Sequence, residues 1–232
     1  MDALLWADGV TVARGRTILL QDFSMRLAAG ELVHLRGANG CGKSSLMRLL
    51  AGVVEPRRGS VGRAAGCLYV PERVALPESL TASRWMRICG AAGTRLPGEL
   101  DRRCGALSNG QQQRLVLTAV LEDRAVSRRV YLLDEPWAGL DAEARASLDT
   151  RLTQAVDDGS AVAYTDHGHE TALAPSRTID LGGGDSEPGD PDGRVRVELR
   201  RGAERTQVVI RDRELAGRLS DGWQIEHIGP AR

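Results

Sequence analysis

The 232-residue sequence predicts an α/β protein: a mostly parallel, doubly wound sheet core, an antiparallel β meander before it and a small α+β appendage after it. Three observations carry that prediction. Between residues 32 and 181, short apolar runs alternate with segments of helical apolar spacing; a glycine-rich stretch at 37–44 joins one such run to one such segment; and residues 182–193 (GGGDSEPGDPDG) lose apolar side chains almost entirely.

In chain order, the β-prone runs Leu4–Trp6, Val10–Val12, Thr17–Leu20 and Phe23–Leu27, separated by glycine and polar residues, predict the meander. Leu32–Leu35 predicts a buried strand, and Ser44–Ala51, with Leu46, Leu49 and Leu50 on one face, a helix that Gly52 ends. Further strands are predicted at Cys67–Val70, Val130–Leu133, Ala161–Thr165 and Thr178–Leu181, and helices at Gln111–Leu121 and Ala142–Val156. The expected division is a main domain over 1–181 with a helical subdomain near residues 73–125, a flexible linker over 182–193, and the appendage over 194–232. Within the appendage, Arg194–Leu199 and Thr206–Ile210 read as a hairpin, Arg213–Leu219 as a short helix and Trp223–Ile228 as a returning strand. At about forty residues it is too small to be stable alone, which predicts packing on the main domain or on a partner.

Composition narrows the function. A formal net charge of zero and an aromatic content of 3% argue against nucleic acid as a partner, since neither an electropositive surface nor stacking platforms are on offer. No run approaches the roughly 18 apolar residues of a membrane span, and Met1-Asp2 lacks a basic-then-apolar leader pattern, so an intracellular chain is expected. The four cysteines, Cys41, Cys67, Cys89 and Cys104, show neither CxxC pairing nor metal-ligand spacing and read as reduced thiols. Of 31 lysine and arginine residues, only Lys43 is a lysine. A chain that uses arginine for every other positive charge places a compact ammonium on a flexible stem at one position.

That position lies in Gly37-Ala38-Asn39-Gly40-Cys41-Gly42-Lys43-Ser44, which fits G-x-x-x-x-G-K-[ST] between a predicted strand and helix. The glycines let backbone N–H groups turn inward on phosphate oxygens, and the following helix points its positive end at the same anion. Lys43 then faces the β and γ phosphates of ATP, the Ser44 hydroxyl ligates Mg²⁺, and Ser45 joins residues 37–44 as a nucleotide-binding candidate. A glycine-rich turn with an incidental lysine is the plain alternative. Downstream, Arg129–Leu133 is an apolar strand that delivers Asp134 and Glu135 at its C-terminal end, where ligands of open α/β sheets sit. Asp134 is placed for the Mg²⁺ shell and Glu135, on the opposite side of the chain, for polarising the attacking water. Alone, two acids there equally suit a helix cap before Pro136.

A third motif makes the pattern specific. Leu107-Ser108-Asn109-Gly110-Gln111 resembles the LSGGQ signature of the ABC ATPase family, and residues 4–181 carry that family's motifs in order: Walker A, a Q-loop-like segment, the signature, Walker B, a D-loop at Ala138-Gly139-Leu140-Asp141 and a switch histidine. The resemblance implies a head-to-tail dimer, homo- or heterodimeric, in which Ser108, Asn109, Gly110 and Gln111 of one subunit close over ATP held by the phosphate loop of the other. It also implies Asp141 near the nucleotide, and His167 at the γ phosphate with His169 as runner-up. Read from the residues alone, Ser108 and Gly110 start a second helix whose N-terminus can bind a γ phosphate, with an ordinary Ser N-cap as the plain alternative, and Asp141 before the Ala142 helix has the same ambiguity.

Three positions depart from the family pattern. Asn109 replaces a signature glycine, Glu72 stands where a Q-loop glutamine is usual and would reach Mg²⁺ through water, and Arg14 replaces the adenine-stacking aromatic, leaving a planar guanidinium to stack or a solvated turn arginine. The segment Glu72–Leu107 is short for the family's helical subdomain. Cys41 lies inside the phosphate loop, where the helix dipole favours thiolate.

The resemblance further implies transmembrane permease subunits as partners and a peripheral place on the cytoplasmic face of the membrane. The run Val12-Ala13-Arg14-Gly15-Arg16 with Gly30-Glu31-Leu32 is similar to haem-exporter ATPases and favours export slightly. The rival is a soluble, non-transport ABC ATPase of the iron–sulfur assembly or translation-associated kind.

Overall fold

The structure is a computed structural model that describes residues 3–15, 17–91, 100–122, 128–166, 168, 173–181, 194–201, 204–211 and 224–230. It divides into two compact units, Met1–Gly182 and Gly183–Arg232.

In the first unit, β1 (Ala3–Arg14) and β2 (Thr17–Ala28) form one long antiparallel hairpin. The sequence suggested four short strands here. The break between Val12 and Thr17 holds the hairpin turn; those within each strand are register shifts, such as that between Ala7 and Val10, so the ladder continues across each bulge. The third strand of this sheet, β4 (Ser60–Arg63), pairs with β1 and was not predicted.

The second sheet is fully parallel, built from β3 (Leu32–Arg36), β5 (Gly66–Val70), β6 (Arg129–Leu133), β7 (Ala161–Thr165) and β8 (Arg177–Asp180) in the order β5-β6-β7-β3-β8. All five residues of β6 and of β7 are buried, which explains the runs Val130–Leu133 and Ala161–Tyr164: a parallel strand covered on both faces has no solvent side. On one face Val33, Leu35, Val130, Leu132, Ala161 and Ala163 meet the N-terminal hairpin and α1 (Lys43–Ala51). On the other, Tyr131, Leu133, Val162 and Tyr164 meet Leu117 of α3 (Asn109–Glu122) and Leu148 and Leu152 of α4 (Ala142–Asp157). A third cluster, with Met86, Cys104, Leu107 and Leu115, joins α3 to α2 (Ala82–Ile88), a short helix capped by Thr81. The α1 carbonyl end is closed by Arg63, whose guanidinium donates to Leu50 O (2.7 Å) and Leu49 O (3.2 Å).

In the second unit, β9 (Arg194–Arg201) pairs antiparallel with β10 (Glu204–Arg211) and with β11 (Gln224–Pro230), in the order β10-β9-β11. The linker over 182–193, the helix expected at Arg213–Leu219 and Trp223 lie outside the described residues. No helix of the described residues is long and apolar enough to cross a membrane.

One aromatic column runs through the α4 side of the parallel sheet. His34 of β3 lies flat on its cross-strand partner Tyr164 (centroids 4.8 Å apart, planes at 6°), Tyr164 meets Trp137 edge-on at 5.0 Å, and the Trp137 indole donates to Asp149 at 2.7 Å. His34 Nε2 is buried with no hydrogen-bond partner. Burial pushes the His34 pKa below its ordinary 6.5; Asp166 opposes the shift, and Arg36 and Lys43 reinforce it. A depressed folded pKa means that the unfolded chain binds the proton better, so this contribution is intact above pH 6.5 and is lost as pH falls from there through the lower folded value. The melting temperature is therefore expected to drop on acidification below neutrality. His34→Phe, which keeps a ring against Tyr164, should flatten that slope in a pH series of thermal melts.

Candidate active site

Parallel strands end at one edge of their sheet, so β3, β5, β6 and β7 deliver their C-terminal loops side by side. The phosphate loop follows β3, Pro71-Glu72 follow β5, Asp134-Glu135 follow β6 and Asp166 follows β7. With β7 between them, β3 and β6 stand about 10 Å apart at the usual strand spacing.

The phosphate loop turns on left-handed glycines. Gly40 has φ 82° and Gly42, the residue before α1, φ 115°. A Cβ on Gly42 would also come within 3.1 Å of the Leu19 side chain. The helix begins at Lys43, one residue earlier than its apolar periodicity suggested, with no side-chain cap on its first N–H groups. Its first internal bond runs from Leu46 N to Gly42 O at 2.8 Å. Lys43 is only 7% exposed and folds back, donating from Nζ to Gly37 O (2.6 Å) and Ala38 O (3.2 Å), while Cys41 N also donates to Ala38 O. Ala38, Asn39 and Gly40 are exposed; Cys41, Ser44 and Ser45 are half-buried. The result is an exposed loop whose carbonyls hold one buried ammonium, beside a helix N-terminus without a side-chain cap.

At the end of β6 the two acids share one partner. Asp134, 3% exposed, accepts the Thr165 hydroxyl at Oδ1 (2.7 Å), with the Tyr69 hydroxyl at 3.5 Å from Oδ2. The backbone N–H of Glu135 donates to the same Thr165 oxygen at 3.0 Å. Strand alternation places Glu135 opposite Asp134, but β6 has ended at Leu133, and Glu135 sits in the left-handed region at φ 52°. The chain turns there, and Ala138 N closes the turn on Glu135 O at 3.1 Å. Burial and the nearby Asp134 carboxylate hold the Tyr69 phenol above its usual pKa, with Arg48 opposing, so it stays protonated at neutral pH.

The signature segment is a reciprocal capping box: Gln111 N donates to Ser108 Oγ (3.3 Å) and Ser108 N to Gln111 Oε1 (2.9 Å). Asp141 likewise caps α4, accepting Ala144 N at 2.8 Å. Ser108, Asn109 and Asp141 are exposed, and α3 starts at Asn109 without interruption. Signature and D-loop touch within the one chain. A Cβ on Gly110 would stand 2.2 Å from Gly139 O, so only glycine fits that approach.

Arg14 is exposed at the β1–β2 turn opposite Thr17, three positions from Leu20, whose side chain also nears Gly42. The turn is held from behind: the Arg57 guanidinium donates to Gly15 O, and Arg57 N donates to Thr11 O at 3.1 Å. Glu72 is exposed just beyond β5. His167 and His169 lie outside the described residues. Thr165 and Tyr69 were not singled out from sequence. The available signal for Thr165 was a hydroxyl at the end of an otherwise fully apolar buried strand, where an unpaired polar group is costly.

The ABC transporter family model matches residues 20–138, from β2 through the phosphate loop and signature to the turn after Glu135. The chain is 34% identical over 193 residues to the cytochrome c biogenesis ATP-binding export protein CcmA of Alkalilimnicola ehrlichii, covering 71% of this chain and 80% of that protein. It is also 34% identical over 200 residues to the zinc import ATP-binding protein ZnuC of Roseobacter denitrificans, covering 78% and 76%. Among solved structures, the dimeric ABC transporter cassette MJ0796 superposes with a TM-score of 0.65 at 20% identity, covering 77% of this chain and 94% of that one, which is a likeness of fold. With the motif geometry, these similarities show that the chain belongs to the ABC transporter family, as one of its ATP-binding, ATP-hydrolysing subunits.

Proposed function

We propose that the chain binds Mg²⁺–ATP at the phosphate loop, hydrolyses it with Glu135 as general base, and works as a head-to-tail dimer that drives transmembrane subunits from the cytoplasmic face of a membrane. The observation that carries this reading is the N-terminus of α1, without a side-chain cap, beside the buried Lys43 ammonium, which puts the positive end of a helix next to a fixed positive charge. Polyphosphate oxygens suit such a place. Lys43 and residues 40–45 hold the β and γ phosphates, Glu135 takes a proton from the attacking water, and ADP and phosphate leave.

The donor set suits magnesium. Ser44 offers a hydroxyl and Asp134 a buried carboxylate, both hard oxygen ligands, and no group of three or more His, Cys, Asp or Glu that could hold a metal occurs among the described residues. Magnesium is commonly held in this way, by few carboxylates together with substrate phosphates. When bound, Mg²⁺ supplies neutralisation of charge on the β and γ oxygens; the chain orients the nucleotide, holds the acids and accepts the proton. Glu72, His167 and Asp141 belong to the same reading as further groups around the phosphates.

The exposed Ser108 and Asn109, with Gly110 after them, support the dimer, since they present a second helix N-terminus to a partner's nucleotide. Arg14 supplies a guanidinium face for the base. The export and import relatives named above are each 34% identical, so we assign direction and cargo to the transmembrane partner. Affinity purification from detergent-solubilised membranes should recover a polytopic partner; recovery of soluble partners alone would favour the non-transport rival.

Cysteine labelling tests nucleotide placement. Burial pushes the Cys67 thiol up to about 11 and raises the pKa of Cys104, which is also buried, so both react slowly at neutral pH. In a Cys89→Ser background, alkylation of the half-buried Cys41 is expected to abolish ATP binding, and ATP to protect it. Equal labelling with and without ATP, at undiminished turnover, would remove Cys41 from the site.

A further inference from the structure

We infer that Thr165 is a positioning residue for the hydrolytic centre, its single hydroxyl fixing the Asp134 carboxylate and the backbone of Glu135 together. The inference deepens the ATPase reading above and rests on it.

The geometry leaves little freedom. Thr165 is fully buried at the end of β7, the strand next to β6, and its oxygen stands 2.7 Å from Asp134 Oδ1 and 3.0 Å from the Glu135 nitrogen. The Glu135 amide can only donate, so it occupies a lone pair on the hydroxyl. The hydroxyl hydrogen, of which there is one, is then committed to Asp134. Donor and acceptor roles are both used, and neither acid can shift without disturbing the other through the same oxygen.

Glu135 needs this support. Its φ of 52° is a left-handed conformation that an L-residue with a long side chain adopts only under strain, and such strain persists where neighbouring contacts enforce it. The Thr165 bond holds the amide side of the residue and the Ala138 bond the carbonyl side. At the other end of the network, occupation of Oδ1 by Thr165 leaves Oδ2, with the Tyr69 hydroxyl at 3.5 Å, as the less engaged oxygen of Asp134. One side chain from the neighbouring strand thus sets the direction of a metal-binding carboxylate and the path of the chain that carries the base.

Two near-isosteric changes separate the hydroxyl from the volume it fills. Thr165→Val keeps the branched shape and removes the oxygen; Thr165→Ser keeps the oxygen and removes the methyl. In the full chain, Thr165→Val is expected to lower both kcat and the Mn²⁺ affinity of the ATP-bound protein, followed by electron paramagnetic resonance, by about tenfold or more, while Thr165→Ser stays within about threefold of the parent. ATP affinity in EDTA, which the phosphate loop carries, should stay within about twofold in both and reports folding. Should Thr165→Val lose that binding, the smaller Thr165→Ala is read by the same criteria.

Parental Mn²⁺ affinity in the hydroxyl-free variant overturns the inference, whether or not kcat falls, because the two acids are tied to one oxygen. So does a serine variant as damaged as the valine variant. Full turnover in Glu135→Gln would instead remove Glu135 as the base and leave the Mn²⁺ result standing, which keeps the two failures apart.

Discussion

Lys43→Ala is expected to abolish measurable ATPase activity and to weaken ATP binding by about a hundredfold or more, the scale on which a preorganised charge at a reacting phosphate acts. The lysine is buried to 7% exposure and holds the Gly37 and Ala38 carbonyls, so alanine removes a charge and releases the loop backbone together. Lys43→Arg should not restore function: a planar guanidinium does not fit a cradle built around a compact ammonium. Isothermal titration with ATP, beside phosphate release, measures both effects. Unchanged ATP affinity in Lys43→Ala would remove the lysine from the phosphate site. In a mixed dimer with one altered protomer, one composite site should fail directly while the other keeps its own phosphate loop.

Glu135→Gln is expected to retain ATP binding while kcat falls by about a hundred- to ten-thousandfold, the range attributed to a general base. The amide keeps the side-chain volume, and the main-chain bonds of Glu135 to Thr165 and from Ala138 persist, so the turn survives and only the proton acceptor is lost. Closed, ATP-loaded dimer should therefore accumulate and elute early in size-exclusion chromatography. Turnover at the parental rate would assign the base elsewhere.

What could be read in advance divides along a physical line. The phosphate loop was legible because its chemistry is local: left-handed glycines, one lysine and one serine within eight residues specify the turn without help from the rest of the chain. The fully buried β6 and β7 were legible from the runs Val130–Leu133 and Ala161–Tyr164. Thr165 was not, since its meaning depends on Asp134, 31 positions away and adjacent only through parallel pairing. The N-terminal strands were split too finely because a bulge and a turn share glycine and polar residues, and only the partner strand distinguishes them. β4 escaped notice for a related reason. Its four residues include a glycine and two polar ends, and it becomes a strand by pairing with β1. Ser108 and Asp141 carry both of their readings into the structure: each is a helix cap, and each is exposed.

The close approach of Gly110 to Gly139 O bears on how inactive variants are interpreted. A side chain at 110 does more than alter the contact proposed with a partner's nucleotide; it pushes on the loop that runs back through Ala138 to Glu135. In a dimer with one altered protomer, the damage would be shared, reaching the neighbour's ATP through the signature and the altered subunit's own ATP through its displaced loop. A defect at this glycine is thus ambiguous as a measure of nucleotide contact. The exposed Ser108, whose hydroxyl accepts from Gln111 N of its own helix, separates the two effects more cleanly.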